Sequence, residues 1–560
     1  MSATSQLFNE RPRLRGPRLR PALVLGLDGA TFDVIRPLVA AGRLPNLAAW
    51  MAEGAAAVLH STVPPVSFPA WSSFATGLEP GAHGLFDFTQ KLPGRYALRF
   101  TNATDRSGAT LFGRVSRAGG RVLALGMPAM FPPEPVNGLL VAGFDAPVST
   151  GSSARAASNP AFYEAIAARA GPWMQAEPDE SAAAEGWHEA AAERLVTRVA
   201  QKTKFAQEAL AQLYVADMPP DLVCVVFSES DSVAHHFWRD HDPTSPRHDP
   251  RASTVRRFAV AAVYEALDAA CGELRAALGA NTACFVVSDH GAGGAARHVV
   301  HVNQRLAEAG LLAFRRGTSR DRLARAARDA ALRLLPPRAR EAAFRRLRPA
   351  AARLESAARF GGIDWAKSAA FSEEANTQPG VWINLAGREA EGRVTAADYE
   401  RARDEVIAAL RDWRLPGGGP VVARARRREE VYAGAHVERA PDVVVELALD
   451  GRYGLSLVPT PRGGGPAPAL RWLEDHELAG GRGRGMNGTH RPEGVWIEHG
   501  TDAPAFPTGQ AALGAAAAAI LGAMGLGAAE GPASPSAPRA YSPEEEAIVA
   551  ERLRRLGYLD

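Results

Sequence analysis

Short apolar runs recur along the chain, separated by longer stretches of helical periodicity, and this alternation restricts the fold more than any other feature. The runs are 22–27, 121–125, 221–227, 283–287, 381–385 and 442–447; the helical patterns between them include 47–53, 111–118, 189–214, 255–278 and 399–411. A strand that is apolar at every position is buried on both faces, which is the habit of parallel strands covered by helices. The pattern therefore predicts an α/β fold, a mainly parallel central sheet with helices on both faces. No internal repeat is present. At 46% hydrophobic and 22% charged residues, the bulk of the chain is excluded from the disordered, collagen-like and membrane-spanning classes. A length of 560 residues accommodates three to four units of roughly 150 residues, or one large α/β enzyme with insertions.

Three segments interrupt the alternation. Residues 1–21 read as a basic disordered arm. Residues 313–362 read as a basic helical insertion, rich in Ala, Arg and Leu and broken at Pro336-Pro337. Residues 526–541 read as an Ala/Gly/Pro/Ser linker before a C-terminal helix in 542–560, opened by Ser542, Pro543 and three glutamates. The α/β catalytic core would then comprise 22–312 and 363–525. Cys224, Cys271 and Cys284 are too few and too unpatterned for a disulfide framework, so a reducing, cytoplasmic setting is expected. The apolar run that follows the basic N-terminus ends at Asp28, too short for a signal-peptide core. No stretch reaches the ~18 apolar residues of a transmembrane segment.

The chemistry collects where strands end. Three apolar runs give way to aspartates: Leu27-Asp28-Gly29, Ser230-Asp231, and Ser288-Asp289-His290-Gly291. In an open parallel sheet the ligand crevice lies outside the carboxyl ends of the strands. One such aspartate is most simply a turn former; three, two of them with histidines at short range, point to a metal site. Asp231 and His235 share one face if a helical turn starts there, and adjacent Asp289 and His290 suit a turn that presents both to one centre. Carboxylate plus imidazole is typical zinc ligation, with manganese or iron as alternatives, and six or seven such ligands imply two metals. Ser67, followed by Phe68-Pro69, fits a helix N-terminus, where backbone N–H groups favour a phosphoryl anion; its plainer reading is an N-cap. Asn303 reads as another N-cap. His83 reads as structural, His236 and Trp238 as pocket-mouth or helix-capping residues, and His298 and His301 as outer neighbours of the site.

These residues together resemble the alkaline phosphatase superfamily, and within it the type I phosphodiesterase/nucleotide pyrophosphatase-like bacterial proteins. The resemblance runs through Leu25 to Gly29, Pro45-Asn46-Leu47, Gly54, Ser67 to Trp71, Thr76-Gly77, Pro80, His83-Gly84, Ser230 to His235, Ser288 to Gly291 and Gly488-Thr489-His490. It implies one metal held by Asp28, Ser67, Asp289 and His290 and a second held by Asp231, His235 and His490. It further implies Ser67 as a nucleophile ionised by its metal, a phosphoseryl intermediate, and two divalent ions, zinc first and manganese second. A serine hydroxyl needs a base or a metal to attack at neutral pH, and no histidine lies near Ser67 in sequence. The expected activity is metal-dependent hydrolysis of a small phosphorylated substrate, as a phosphodiesterase or phosphatase. The alternatives are a phosphotransferase or mutase using the same phosphoserine, or a non-catalytic binding protein on this fold. Trp71 stands where a sulfatase carries Arg, which argues against that branch. Phe88 stands where nucleotide pyrophosphatases carry a phosphoryl-contacting Asn, which argues against their nucleotide specificity.

The net charge of +3 is a sum of unlike parts. Residues 315–359 hold 14 Arg against four acidic residues, a net of +10, and residues 1–21 add +4, leaving −11 on the rest. The arginines read first as a solvated helical face; the alternative is an anionic partner at 315–359.

Overall fold

The computed structural model describes residues 19–147, 153–173, 187–315, 359–374, 379–461, 468–478, 486–502, 504–506, 509–527 and 541–555. Residues 1–18 of the expected arm, 528–540 of the expected linker and most of the expected insertion lie outside these residues. At the base of the insertion Phe314 and Ile363 form an antiparallel bridge, so the chain leaves and returns at one place.

An eight-stranded sheet forms the centre, in the spatial order Gln510–Ala512, Ala55–His60, Glu493–His499, Ala283–Val287, Ala22–Leu27, Leu222–Phe227, Val122–Met127, Gly138–Ala142. All are parallel except Glu493–His499, which runs against both its neighbours. The three central parallel strands are buried at every position. Alternation along them feeds two cores. Leu23, Leu25 and Leu27 pack with the helices Trp187–Val215 and Thr254–Ala276 on one face, while Ala22 and Val24 pack with Trp71, Phe74, Phe112 and Ile520 on the other. This is the predicted mainly parallel α/β architecture. Leu27 pairs with Phe227 and Gly26 with Val287, so the three strands end level, and the residues that follow them emerge at one height.

Two expected strands, 381–385 and 442–447, form as Gly380–Ile383 and Val443–Leu447 but in a separate sheet. That sheet has four antiparallel strands, ordered Ala370–Ser372, Gly380–Ile383, Val443–Leu447, Val422–Arg427. Its valines are apolar at every position for the same reason as in the central sheet: Val443 and Val445 face a core that includes Val406 and Leu410 of the helix Tyr399–Arg411, and Val444 packs on Tyr432. A third sheet is built around the long strand Gly291–Val300, with Tyr453–Leu457 parallel to it and Leu470–Trp472 and Gly488–Arg491 antiparallel.

The helix Pro543–Arg555 opens as its sequence predicts: Glu545 N–H donates to Ser542 Oγ at 3.2 Å, and Ser542 N–H donates to the Glu545 carboxylate at 2.8 Å. Tyr541, Val549, Ala550 and Leu553 join the core that contains Phe131, and Arg552 donates to the carbonyls of Phe144 and Ala146. Among the described residues no helix is long and apolar enough to cross a membrane.

Candidate active site

Asp28 follows the central strand directly. The turn after it requires Gly29, whose φ is +64° and whose added Cβ would stand 2.8 Å from the Asp231 carboxylate. Asp231 lies in the first turn of the helix Glu229–His241, and His235 lies one turn on, with its Nε2 3.2 Å from Asp231 Oδ1. Asp289 and His290 occupy the turn after Ala283–Val287, and the Gly29 N–H donates to Asp289 at 3.2 Å. Ser230 Oγ–H donates to the Asp28 carbonyl at 2.7 Å, tying two of these turns together. Ser67 is the first residue of the helix Ser67–Thr76, with Val66 at the cap, so it stands inside the positive end of the helix rather than capping it. His490 arrives from Gly488–Arg491, pairing opposite Ala292. All seven expected residues are thus brought to one place, each at most 5% exposed.

The geometry suits a cation. His235, His290 and His490 each turn Nδ1 to a backbone carbonyl, of Gly488 at 2.9 Å, Gly291 at 3.0 Å and Pro65 at 2.8 Å. A ring that donates from Nδ1 presents the lone pair of Nε2. All three Nε2 atoms face the carboxylates: His235 at 3.2 Å and His490 at 3.6 Å from Asp231, and His290 at 3.5 Å from both Asp28 and Asp289. The Nε2 atoms of His235 and His490 stand 3.0 Å apart, a spacing at which both can face one cation. Two groups have donor atoms within 4.8 Å of one another: Asp231, His235 and His490; and Asp28, Asp231 and His290. Ser67 Oγ lies 3.5 Å from Asp28 Oδ1 and 3.4 Å from His290 Nε2.

Electrostatics agree. Burial, then the Asp289 and Asp231 carboxylates, push the Asp28 pKa well up, and burial also raises Asp289. Burial opposes ionisation of Asp231, but His235, His490 and His290 outweigh it and hold its pKa down. Burial works against a charge on His235 too, and Asp231 reverses the balance upward; burial and His290 drive His490 well below its ordinary value. Three carboxylates packed in the dark with three imidazoles hold protons where divalent cations would serve better, so the donor set fits metal.

The profile of the type I phosphodiesterase / nucleotide pyrophosphatase family matches residues 22–454. The chain belongs to that family. Its members are hydrolases of phosphoester bonds, and the fold is that of the alkaline phosphatase superfamily. Phosphonoacetate hydrolase from Sinorhizobium meliloti 1021, solved with phosphonoacetate and with phosphonoformate, is similar over 90% of this chain and 97% of its own, at 17% identity and a TM-score of 0.52. Human ectonucleotide pyrophosphatase / phosphodiesterase 5 is similar over 92% of this chain and 97% of its own, at 11% identity and a TM-score of 0.45. No curated protein sequence matches the chain. The family match ends before His490, which reaches the site through a strand of the third sheet.

Other residues of this family member's site escaped the sequence reading. Trp71, fully buried, donates its indole N–H to Asp28 Oδ2 at 3.2 Å. Room for it comes from Gly26, where a Cβ would stand 2.7 Å from the ring. Glu229, beside Asp231, is buried against Arg198 at 3.0 Å and Lys202 at 2.8 Å, which lie one turn apart on the helix Trp187–Val215. The i, i+4 spacing of Arg198 and Lys202 was visible, but not what they face. Phe88 is buried against Phe68 and Phe144, with ring centroids at 4.5 and 6.2 Å. His83 is structural, 3.0 Å from Ser73 Oγ and accepting the Leu85 N–H. His236 and Trp238 lie within the helix Glu229–His241. His298 pairs with Asp450 and His301 bonds the Val458 carbonyl. Asn303 is inside its helix rather than at the cap, which His301 occupies; its amide instead exchanges bonds with the Ser372 backbone, because the neighbouring strand offers both a donor and an acceptor.

Proposed function

We propose that the protein hydrolyses a small phosphodiester or activated phosphoester through Ser67, with two divalent cations, zinc first and manganese second. The observation that carries this is the position of Ser67 Oγ, in the first turn of a helix and within 3.5 Å of both Asp28 and His290. Asp28, Asp289 and His290 with Ser67 would hold one ion; Asp231, His235 and His490 would hold the other, Asp231 lying against both groups. When bound, such ions neutralise phosphoryl oxygens and lower the pKa of hydroxyls they touch.

The chain's own contribution is to place and orient. Backbone N–H groups at the start of the Ser67 helix have no carbonyl one turn earlier and face the phosphoryl oxygens. Ser67 Oγ attacks phosphorus in line, its proton passing to solvent; the bond from phosphorus to the ester oxygen breaks, and the leaving alkoxide takes a proton from water. Water then attacks the phosphoseryl group from the vacated side, restoring Ser67 and releasing the phosphate or its monoester. The three cysteines are free and buried, in keeping with a reducing, cytoplasmic setting.

The test is metal content together with hydrolysis of bis-p-nitrophenyl phosphate, the p-nitrophenyl monoester and the sulfate ester. Two equivalents of metal are expected, with phosphodiester turnover lost by at least about 10³-fold in Ser67→Ala while the variant keeps its metal and its fold. No turnover of any ester by metal-loaded protein, or a Ser67→Ala variant as active as the parent, would overturn the reading.

A further inference from the structure

A cavity of about 730 Å³, its solvent mouth included, adjoins the Ser67 loop. Pro64 lines it, and the next residue, Pro65, accepts the His490 Nδ1–H. Tyr432, also in the lining, donates to the Val63 carbonyl at 2.7 Å. Asp87 lines it as well, and its neighbour Phe88 packs on Phe68, which follows Ser67. Pro64 is three residues from Ser67, a reach of at most about 10 Å.

Several polar groups of the lining have no hydrogen-bond partner among the described residues. Thr89 Oγ1 is buried without a hydrogen bond among the described residues. Glu373 Oε1 is likewise unbonded, with the Trp382 indole beside it. Lys91 and Arg439 line the cavity, and the Lys91 and Arg359 charges favour ionisation of Glu373 against its burial. The Lys91 ammonium is held by Glu389 at 2.7 Å, and Arg388 by Asp442 at 2.6 Å. Arg359 donates to the carbonyls of Glu373 and Glu374. The Glu374 carboxylate is itself used up by Asn303 and Thr460. Asp87 takes only the Phe88 N–H. Phe86 and Tyr432, edge to face at 5.0 Å, supply the apolar wall.

Asp87 and Glu373 are therefore two carboxylates in one aromatic-walled cavity, and the Glu373 charge raises the cost of ionising Asp87. Burial first, with Asp87's position opposite Glu373, pushes Asp87 well up, and Glu373 stands at about 7. A cation entering the cavity would relieve both, and one bearing N–H donors would also satisfy Glu373 Oε1 and Thr89 Oγ1. We propose that this cavity binds a protonated primary amine carried on the alcohol part of the substrate, so that the ester preferred by Ser67 is an aminoalkyl phosphodiester. The proposal rests on the hydrolase reading above and adds the class of ester.

The test compares kcat/KM for 4-nitrophenyl 2-aminoethyl phosphate and its isosteric neutral counterpart, 4-nitrophenyl propyl phosphate, on the metal-loaded full chain. A preference of at least tenfold for the aminoethyl ester is expected, falling toward one in Glu373→Gln and in the double variant Asp87→Asn, Glu373→Gln. A parent ratio near or below one, with both esters turned over, would overturn the proposal and leave the hydrolase reading standing. If neither ester is turned over, the hydrolase reading fails, and calorimetric titration with O-phosphorylethanolamine against propyl phosphate decides the cavity. There, at least tenfold tighter binding of the amine, lost in Glu373→Gln, supports it, and equal affinity overturns it. Melting curves of each variant report whether the fold is kept.

Discussion

Asp231 is the side chain on which the two ligand groups meet, and neighbouring side chains help to hold these carboxylates in place. Trp71 is one. Its indole N–H fixes one oxygen of Asp28 and leaves the other toward Ser67 and His290. Replacing it with Phe keeps most of the packing and removes the donor, so metal affinity should fall by about 10–100-fold, read by competition with a chromogenic chelator. His83 gives a prediction in pH. Burial first, then the Arg106 charge, press its pKa from 6.5 to about 3. The unfolded chain takes up that proton near 6.5 and the folded chain does not until about 3, so the unfolded state binds more protons in between and stability falls as pH falls. The slope is about 1.4 kcal/mol per pH unit, or about 2 kcal/mol between pH 6.5 and 5, and denaturant titrations of His83→Gln should lack it. Residues at short sequence range were legible: Asp231 with His235 and Asp289 with His290 declare themselves by spacing. Trp71 did not, since its partner lies across the fold and an indole N–H has no motif.

At the scale of elements, the helix that carries Asp231 and His235 is pinned at its start. Glu229 is buried between Arg198 and Lys202, an arrangement in which removing one partner costs more than the set contributes. Glu229→Gln should destabilise the protein by about 3 kcal/mol, measured by urea denaturation, and weaken metal binding as the helix start loosens. The docked C-terminal helix offers a parallel case: Leu553→Ala, truncating a fully buried side chain, should cost about 2–4 kcal/mol without changing the metal content. The apolar runs identified strands well but not their partners, as Gly380–Ile383 and Val443–Leu447 illustrate, because apolarity reports burial and a second sheet is buried too. The strand Gly291–Val300 went unread altogether. Its sequence of glycines and alanines has neither the bulk nor the alternation that marks a strand, yet it braces the His490 strand.

For the molecule as a whole, the metal set is expected to work as a keystone. Chelation should lower the melting temperature as well as abolish turnover, because three buried carboxylates then share their space with protons alone; restoring two equivalents of zinc should recover both. Differential scanning calorimetry before and after chelation checks this. The order of strands in the central sheet has a further consequence. Glu493–His499 is wedged between Ala283–Val287 and Ala55–His60, so Ala55–His60 finds this neighbour only after the whole of 61–492 has been made. At about 5–20 residues per second that interval is roughly 20–90 s, during which the edge of Ala55–His60 is bare and His490 does not yet exist. A chain made only up to that point has a sheet with a gap in it, and His490 cannot join the other six candidate ligands until Gly488–Arg491 has followed. In the cell, shielding that open edge is a task for whatever meets the chain at the exit tunnel.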